Sequence, residues 1–421
     1  MNDDPLKQQI RQGHGKFAAM VGTYALGVFN DQFYKQAAML LAVAVGLKHL
    51  QGHVLFVFTL PYLVFAAYAG WLADRFPKNR VVIGAKVMEL AAMICGGVGI
   101  VTQTWSLILV MACVMGWQSC IFSPALNGSI PELYPPSYVT TANGILKVFV
   151  TASILSGVAA SGPVLEIFGT KTQVQKDMGR LVAGIGVIAI SMLGVFVSFF
   201  VPRRPAADPQ ARFPWTGPRD TVRQLWQIQK DRLLWTTICA NVFVWFVGSV
   251  QILLINVMGL EQFGYRKTLT SALLASEVLG LAVGGLLAAR LAKGERWYRV
   301  LVPAALLMSL FLSGVALTPL LPPSVRPAAL VVLLGGAGIT GGVFMIPCEA
   351  FIQVRPAAGR KGTVIASANF MVFAGILLSA PIGNGLNAAL RPTVSFGLLA
   401  AFSLLVAVIL FVVLPKKGRV R

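Results

Sequence analysis

Gly70-Trp71-Leu72-Ala73-Asp74-Arg75-Phe76-Pro77-Lys78 closes the second apolar stretch of this chain, and Gly285-Leu286-Leu287-Ala288-Ala289-Arg290-Leu291-Ala292-Lys293 closes the eighth. Gly, Leu, Ala, Arg and Lys recur in register between the two. A second echo relates Ala142-Asn143, at the start of the fifth stretch, to Ala368-Asn369 at the start of the eleventh. Windows of about 20 apolar residues, the length that crosses a hydrocarbon core, give twelve spans. They lie near 17–47, 54–74, 81–102, 105–126, 139–168, 181–202, 233–258, 270–290, 299–321, 327–351, 363–385 and 393–414. The expected fold is all-α and integral to the membrane, with twelve transmembrane helices in two pseudo-symmetric six-helix bundles, residues 1–202 and 233–421. Parallel repeats of this kind hold substrate near the bilayer midplane.

Composition agrees. Of 421 residues 56% are hydrophobic and 12% charged, and the mean hydropathy is +0.75, outside the range of soluble domains. The net charge of +20 sits in short loops between spans, where Lys and Arg set topology, so nucleic acid is not an expected partner. Loops 75–80, 203–232, 290–299, 355–361 and the tail Lys416-Lys417-Gly418-Arg419 carry most of the basic residues, which places both termini in the cytoplasm. Residues 1–16 lack a small-residue cleavage site, so the first span is expected to be retained. Segment 203–232, rich in Pro and Arg and ending near Trp226 and Ile228, reads as a cytoplasmic linker with an amphipathic helix. Cys95, Cys113, Cys120, Cys239 and Cys348 fall inside spans without metal or disulfide spacing. His14, His49 and His53 build no nucleophilic constellation. No enzyme, metal site or cofactor is expected.

The loop after span two, Gly70, Asp74, Arg75, Lys78 and Arg80, resembles the major facilitator superfamily signature between its second and third helices. Phe29-Asn30-Asp31-Gln32 with Lys35, Ser123-Pro124-Ala125, Ala142-Asn143-Gly144, and Pro347 to Gln353 followed by Gly362 and Asn369 look like the bacterial lysophospholipid transporter group. That resemblance implies flipping of lysophospholipids, such as lysophosphatidylethanolamine, across the inner membrane for reacylation by a separate acyltransferase. It also implies that Asp74 and its basic neighbours form a breakable conformational latch. Leu126, Gln251 and Val372 stand where members of that group carry Lys, Arg and Glu. A proton-coupled exporter of a small amphipathic drug or metabolite is the alternative.

Intramembrane charges mark the candidate site, because they are costly in hydrocarbon. Asp31 and Lys35 share a helix face at i,i+4 and can neutralise one another, either as a structural pair or in transport. Lys86 and Glu89 can pair in span three and brace the loop motif. Asn143, Lys147 and Thr151 form a stripe on span five, with Lys147 able to face Asp31 or a phosphate. Asn241 and Gln251 lie on a stripe of span seven, and Asn369 lies in span eleven. Glu277 is the deep acid of the second half and, with Asp31, a candidate coupling residue; Arg266, Lys267 or Gln262 are its candidate caps. Phe56, Phe58, Tyr62 and Phe65 on span two read as lipid-facing packing or as the wall of a lateral opening.

Overall fold

Backbone amides inside hydrocarbon have no water to bond, so a spanning segment must satisfy them within itself. The described residues do so with helices and contain no strand. This is a computed structural model that describes residues 5–127, 130–203, 205–206, 208–292, 294–356 and 361–414. Lys293 of the repeat and the basic tail 416–419 lie outside them, as do the side chains of Ser123, Leu126 and Glu132.

In chain order the helices are α1 (Pro5–Ala44), α2 (His49–Arg75), α3 (Lys78–Thr102), α4 (Trp105–Asn127), α5 (Ile130–Leu133), α6 (Pro136–Leu165) and α7 (Gln173–Ser198). After the linker come α8 (Gly217–Ile228), α9 (Arg232–Val257), α10 (Lys267–Leu291), α11 (Leu301–Leu317), α12 (Arg326–Val354), α13 (Lys361–Ala389) and α14 (Pro392–Val413). Apart from α5 and α8, these are the twelve long helices. Among the described residues, eleven stretches are long and apolar enough to cross a membrane. The twelfth helix, α1, runs for 40 residues with Asn30-Asp31-Gln32 diluting its middle. It starts well before the expected span because residues 5–12, PLKQQIRQ, include many good helix formers, so the helix continues past the apolar window.

Local chemistry sets the ends. Thr172 caps α7 in a reciprocal capping box with Gln175. Asp231 caps α9 by accepting from the Leu234 amide at 3.1 Å, and its other oxygen takes Arg355 Nε at 2.9 Å. Gln103 closes α3 in a left-handed turn, φ 56°.

Backbone proximity resolves two compact units, Met1–Ala38 with His53–Pro218 and Met39–Gly52 with Arg219–Arg421. This division differs from a boundary at residue 202 in two places. The turn from α1 into α2 belongs with the second unit, and most of the linker belongs with the first. In the first unit α3 lies against α4 and α7, Gly116 of α4 meets the Phe58 carbonyl of α2, and Gly157 of α6 meets the Phe29 carbonyl of α1. In the second, α11 lies against α12 and α14, α10 against α12, and α9 against α13. Counting spans within each unit, the same pairs recur: one with five, two with four, three with four and six. The repeat read from the loops is therefore a repeat of packing.

Small residues permit the closest of these contacts. Gly280 and Gly284 of α10 interlock with Gly338 and Gly342 of α12 so tightly that a Cβ on any of them would strike backbone. Outward faces are apolar: Ile185, Met192 and Phe196 on α7 and Leu405, Phe411 and Val412 on α14 are exposed, as a lipid solvent requires. Gly284→Leu should lower stability by roughly 1–3 kcal/mol or more through overpacking. Gly186→Ala, where a Cβ meets nothing within 4 Å, should not; thermal unfolding in detergent compares them.

Candidate functional site

The first unit gathers its charges where α1, α3 and α4 meet. Lys86 Nζ and Glu89 Oε2 of α3 form an ion pair at 2.6 Å with both side chains 1% exposed. The i,i+3 spacing read from the sequence puts them on one face. Gly27 of α1 makes room: a Cβ there would lie 2.5 Å from Lys86 Nζ. Phe122 of α4 covers the ammonium, its ring centroid 5.1 Å away. Gln118 Nε2 then donates to the same Glu89 oxygen at 3.4 Å.

Asp31 lies one step further along. Ser119 Oγ, next to Gln118 on α4, sits 2.8 Å from Asp31 Oδ2 and 3.1 Å from Gln118 Oε1. The hydroxyl has one proton, and the shorter, charge-assisted bond to the carboxylate takes it. A polar chain thus runs Lys86, Glu89, Gln118, Ser119, Asp31 across three helices. Its two ends differ. The Lys86–Glu89 pair is sealed, whereas Asp31 is half-buried; one oxygen of each acid, Glu89 Oε1 and Asp31 Oδ1, has no partner.

Lys35 lies close enough to Asp31 for the two charges to attract. Its ammonium lies 3.9 Å from the Phe58 ring centroid on α2, because the long stem reaches past the short carboxylate that Ser119 already holds. Phe58 therefore faces a cation rather than lipid. Phe58 and Tyr62 lie 6.1 Å apart, and Phe65 packs on Trp117 at 5.6 Å, so aromatic rings of α2 and α4 extend this wall. Around it, Asn30 is buried and its amide donates to the Val187 carbonyl at 3.0 Å. Tyr34 donates to the Gly96 carbonyl at 2.9 Å, which fixes the rotation of α1 against α3 and α7.

The remaining candidates are not drawn into this chain. Asn143 and Lys147 are exposed on α6, and the Asn143 amide donates to the Val139 carbonyl of its own helix at 3.0 Å. In the second unit Asn241 and Gln251 of α9 are buried with Oδ1 and Oε1 unpaired, and Asn369 is exposed. Glu277 is 9% exposed with Oε2 unpaired. One of its expected caps is engaged elsewhere, since Gln262 Nε2 donates to Thr393 Oγ1 at 2.8 Å. A second polar cluster escaped the sequence reading. Asn256 Nδ2 donates to Gln51 Oε1 at 2.9 Å, Asn384 Nδ2 to the His49 carbonyl at 2.7 Å, and Lys48 pairs with Glu261 at 2.9 Å. These bonds tie residues 48–51 to α9, the turn after it and α13.

The loop motif is organised by the linker. Trp71 Nε1 and Arg75 Nη1 both donate to the Ala211 carbonyl, at 3.0 and 2.8 Å, and the Asp208 amide donates to the Asp74 carbonyl at 2.9 Å. Phe213 packs on Tyr68 and Trp71, each at 5.1 Å. The Asp74 carboxylate itself is exposed, as is Arg80, while Lys78 and Asn79 are buried. Gly70 has open space beside it. Among the described residues no group of three His, Cys, Asp or Glu side chains is placed to hold a metal ion.

Twelve long helices, a sixfold packing pattern repeated in each unit, and a half-buried charge inside one of them define a polytopic membrane carrier. The sequence matches the Major Facilitator Superfamily over residues 15–320; the chain belongs to that family and is a multi-pass secondary transporter rather than an enzyme. It is 27% identical to the lysophospholipid transporter LplT of Enterobacter sp. (strain 638) over 308 residues, 71% of this chain and 70% of that protein. To LplT of Yersinia pestis (strain Pestoides F) it is 29% identical over 306 residues, 71% and 68% of the two chains. Among solved structures it superposes on a D-xylose-proton symporter with a TM-score of 0.72 at 15% identity, covering 96% of this chain and 99% of that one. A bacterial homologue of the human lysosomal transporter Spinster, inward-facing and unoccupied, gives 0.68 at 16% identity and 95% of each chain. At such identities the likeness is one of fold.

Lys86→Met should cost about 3–5 kcal/mol by leaving Glu89 charged and unpaired, and Lys86→Met/Glu89→Met should restore most of it; a double-mutant cycle on thermal unfolding checks this. Trp71→Phe/Arg75→Gln should free the linker and speed tryptic cleavage after Arg212, read by timed proteolysis of the purified protein.

Proposed function

We propose that this transporter flips lysophospholipids of the lysophosphatidylethanolamine type across a bacterial inner membrane by alternating access, delivering them to a separate acyltransferase. The observation that carries the reading is the half-buried Asp31, with one oxygen held by Ser119 and the other free, in a chain similar over 71% of its length to lysophospholipid transporters. A lysolipid has one acyl chain whose exposure to water costs about 0.8 kcal/mol per CH₂. The tail therefore stays in an apolar setting while the head group follows polar groups, and the polar end of the chain at Asp31 beside the aromatic α2 wall offers both.

In this reading Asp31, Lys35, Asn143, Lys147, Asn241, Gln251 and Asn369 contact the substrate on its path. Gly70, Asp74, Arg75, Lys78 and Arg80 bias one state of the carrier, with the linker holding Arg75 in the state described. Both termini lie in the cytoplasm, following the excess of Lys and Arg in the loops on their side. The uncharged Gln251 and Val372 give this chain a different set of head-group contacts from that of its relatives. One observation favours proton-coupled export of a small amphipathic compound instead: Glu277 is buried with an unpaired carboxylate oxygen, as a proton carrier would be.

Proteoliposomes loaded in one leaflet with labelled lysophosphatidylethanolamine separate the two. Protein-dependent translocation should fall about tenfold, ~1.4 kcal/mol of barrier, in Asp31→Asn, and less in Ser119→Ala, with Ser119→Thr close to native. Equal rates with and without protein remove the lipid reading. Drug efflux that stops when the proton gradient is collapsed, and that is lost in Glu277→Gln, would replace it.

A further inference from the structure

A groove that shares only Arg80 with the loop motif lies at the end of the first unit that carries the basic loops. Pro77, Asn79, Arg80, Arg203 and Pro205 line a cavity of about 510 Å³ there. Arg80 and Arg203 are exposed, and neither takes part in any ion pair among the described residues. Among the described residues no carboxylate lines the groove. Asn79 is 9% exposed and lines this space. The groove also opens on the first turn of α3, which begins after Pro77 with no side-chain cap, so its amide dipoles favour an anion at the same place. Two prolines fix the walls by holding their φ angles.

Buried donors, two free guanidinium groups and no acid describe a site for a phosphate, since planar guanidinium forks match phosphate oxygens bidentately. The surroundings say which phosphate. Phe199 and Phe200, four and three residues before Arg203, are 61% and 60% exposed, and Phe76, beside Pro77, is 42% exposed. Apolar rings at the end of spanning helices face acyl chains, so a molecule seated here meets hydrocarbon on one side and cations on the other. We propose that the groove holds the phosphodiester head group of an anionic phospholipid, with its acyl chains along Phe199 and Phe200, as a lipid bound at the rim of the first unit and separate from the transported substrate. Basic pockets between helices at a membrane surface take such head groups in general.

The test uses the purified full chain in a nonionic detergent. Dihexanoyl phosphatidylglycerol should raise the Tm saturably, by about 3 °C or more, while dihexanoyl phosphatidylcholine should leave it unchanged. Arg80→Gln/Arg203→Gln and Asn79→Asp should each abolish the shift while keeping a native Tm without lipid; Arg391→Gln, an exposed arginine of the second unit, should retain it. If the double variant does not fold, Arg203→Gln alone, in the loop after α7, should halve the shift or more. A shift that survives in Arg203→Gln and in Asn79→Asp, or none with phosphatidylglycerol, overturns the site. An equal shift with inorganic phosphate at the same concentration overturns the lipid assignment and leaves a soluble phosphate as the ligand.

Discussion

The first unit depends on the Lys86–Glu89 ion pair. Two charges taken into a low-dielectric bundle are tolerated only when their attraction and further hydrogen bonds offset the lost hydration, and here the pair recruits structure from three sides. Gly27 yields space for the ammonium, Phe122 covers it, and Gln118 donates to the carboxylate. Gln118 and Ser119 are consecutive on α4, so the turn of helix that donates to Glu89 also donates to Asp31.

Most of the fold was legible because hydrocarbon is a severe solvent. Spans had to be long and apolar, the loop motif recurred in both halves, and the repeat predicted the packing seen between equivalent helices. Charges within spans were legible for the same reason, which is why Asp31, Lys35, Lys86, Glu89 and Glu277 stood out. Neutral polar residues outside a recognisable stripe did not. Gln118 and Ser119 sit in a span among Trp117 and Cys120, where Ser and Gln are common enough that nothing marks them until a neighbour's carboxylate is placed. Likewise the bond from Asn256 to Gln51, some 200 positions apart, follows only from tertiary packing. Helix spacing tells that Lys35 and Asp31 share a face, whereas their further partners, Phe58 and Ser119, come from other helices.

The linker shows a similar limit. Its composition announced a polar connector with an amphipathic end, and α8 is found there with Trp226 exposed and Ile228 buried among Leu234, Ile238 and Ile352. Its earlier part behaves differently. Residues 208–213 lie across the end of α2 and use the motif's own Trp71 and Arg75 as anchors, both donating to the Ala211 carbonyl.

Gly27 has a consequence for how this protein can evolve. The space a methyl group would need at that position is filled by the ammonium of another helix, so the tolerance of residue 27 is conditional on the length of residue 86. A lineage in which position 86 shortened would release position 27 to drift, and the reverse order of changes would pass through a damaged intermediate. The two sites should behave as an epistatic pair, with a glycine maintained by someone else's charge rather than by its own backbone.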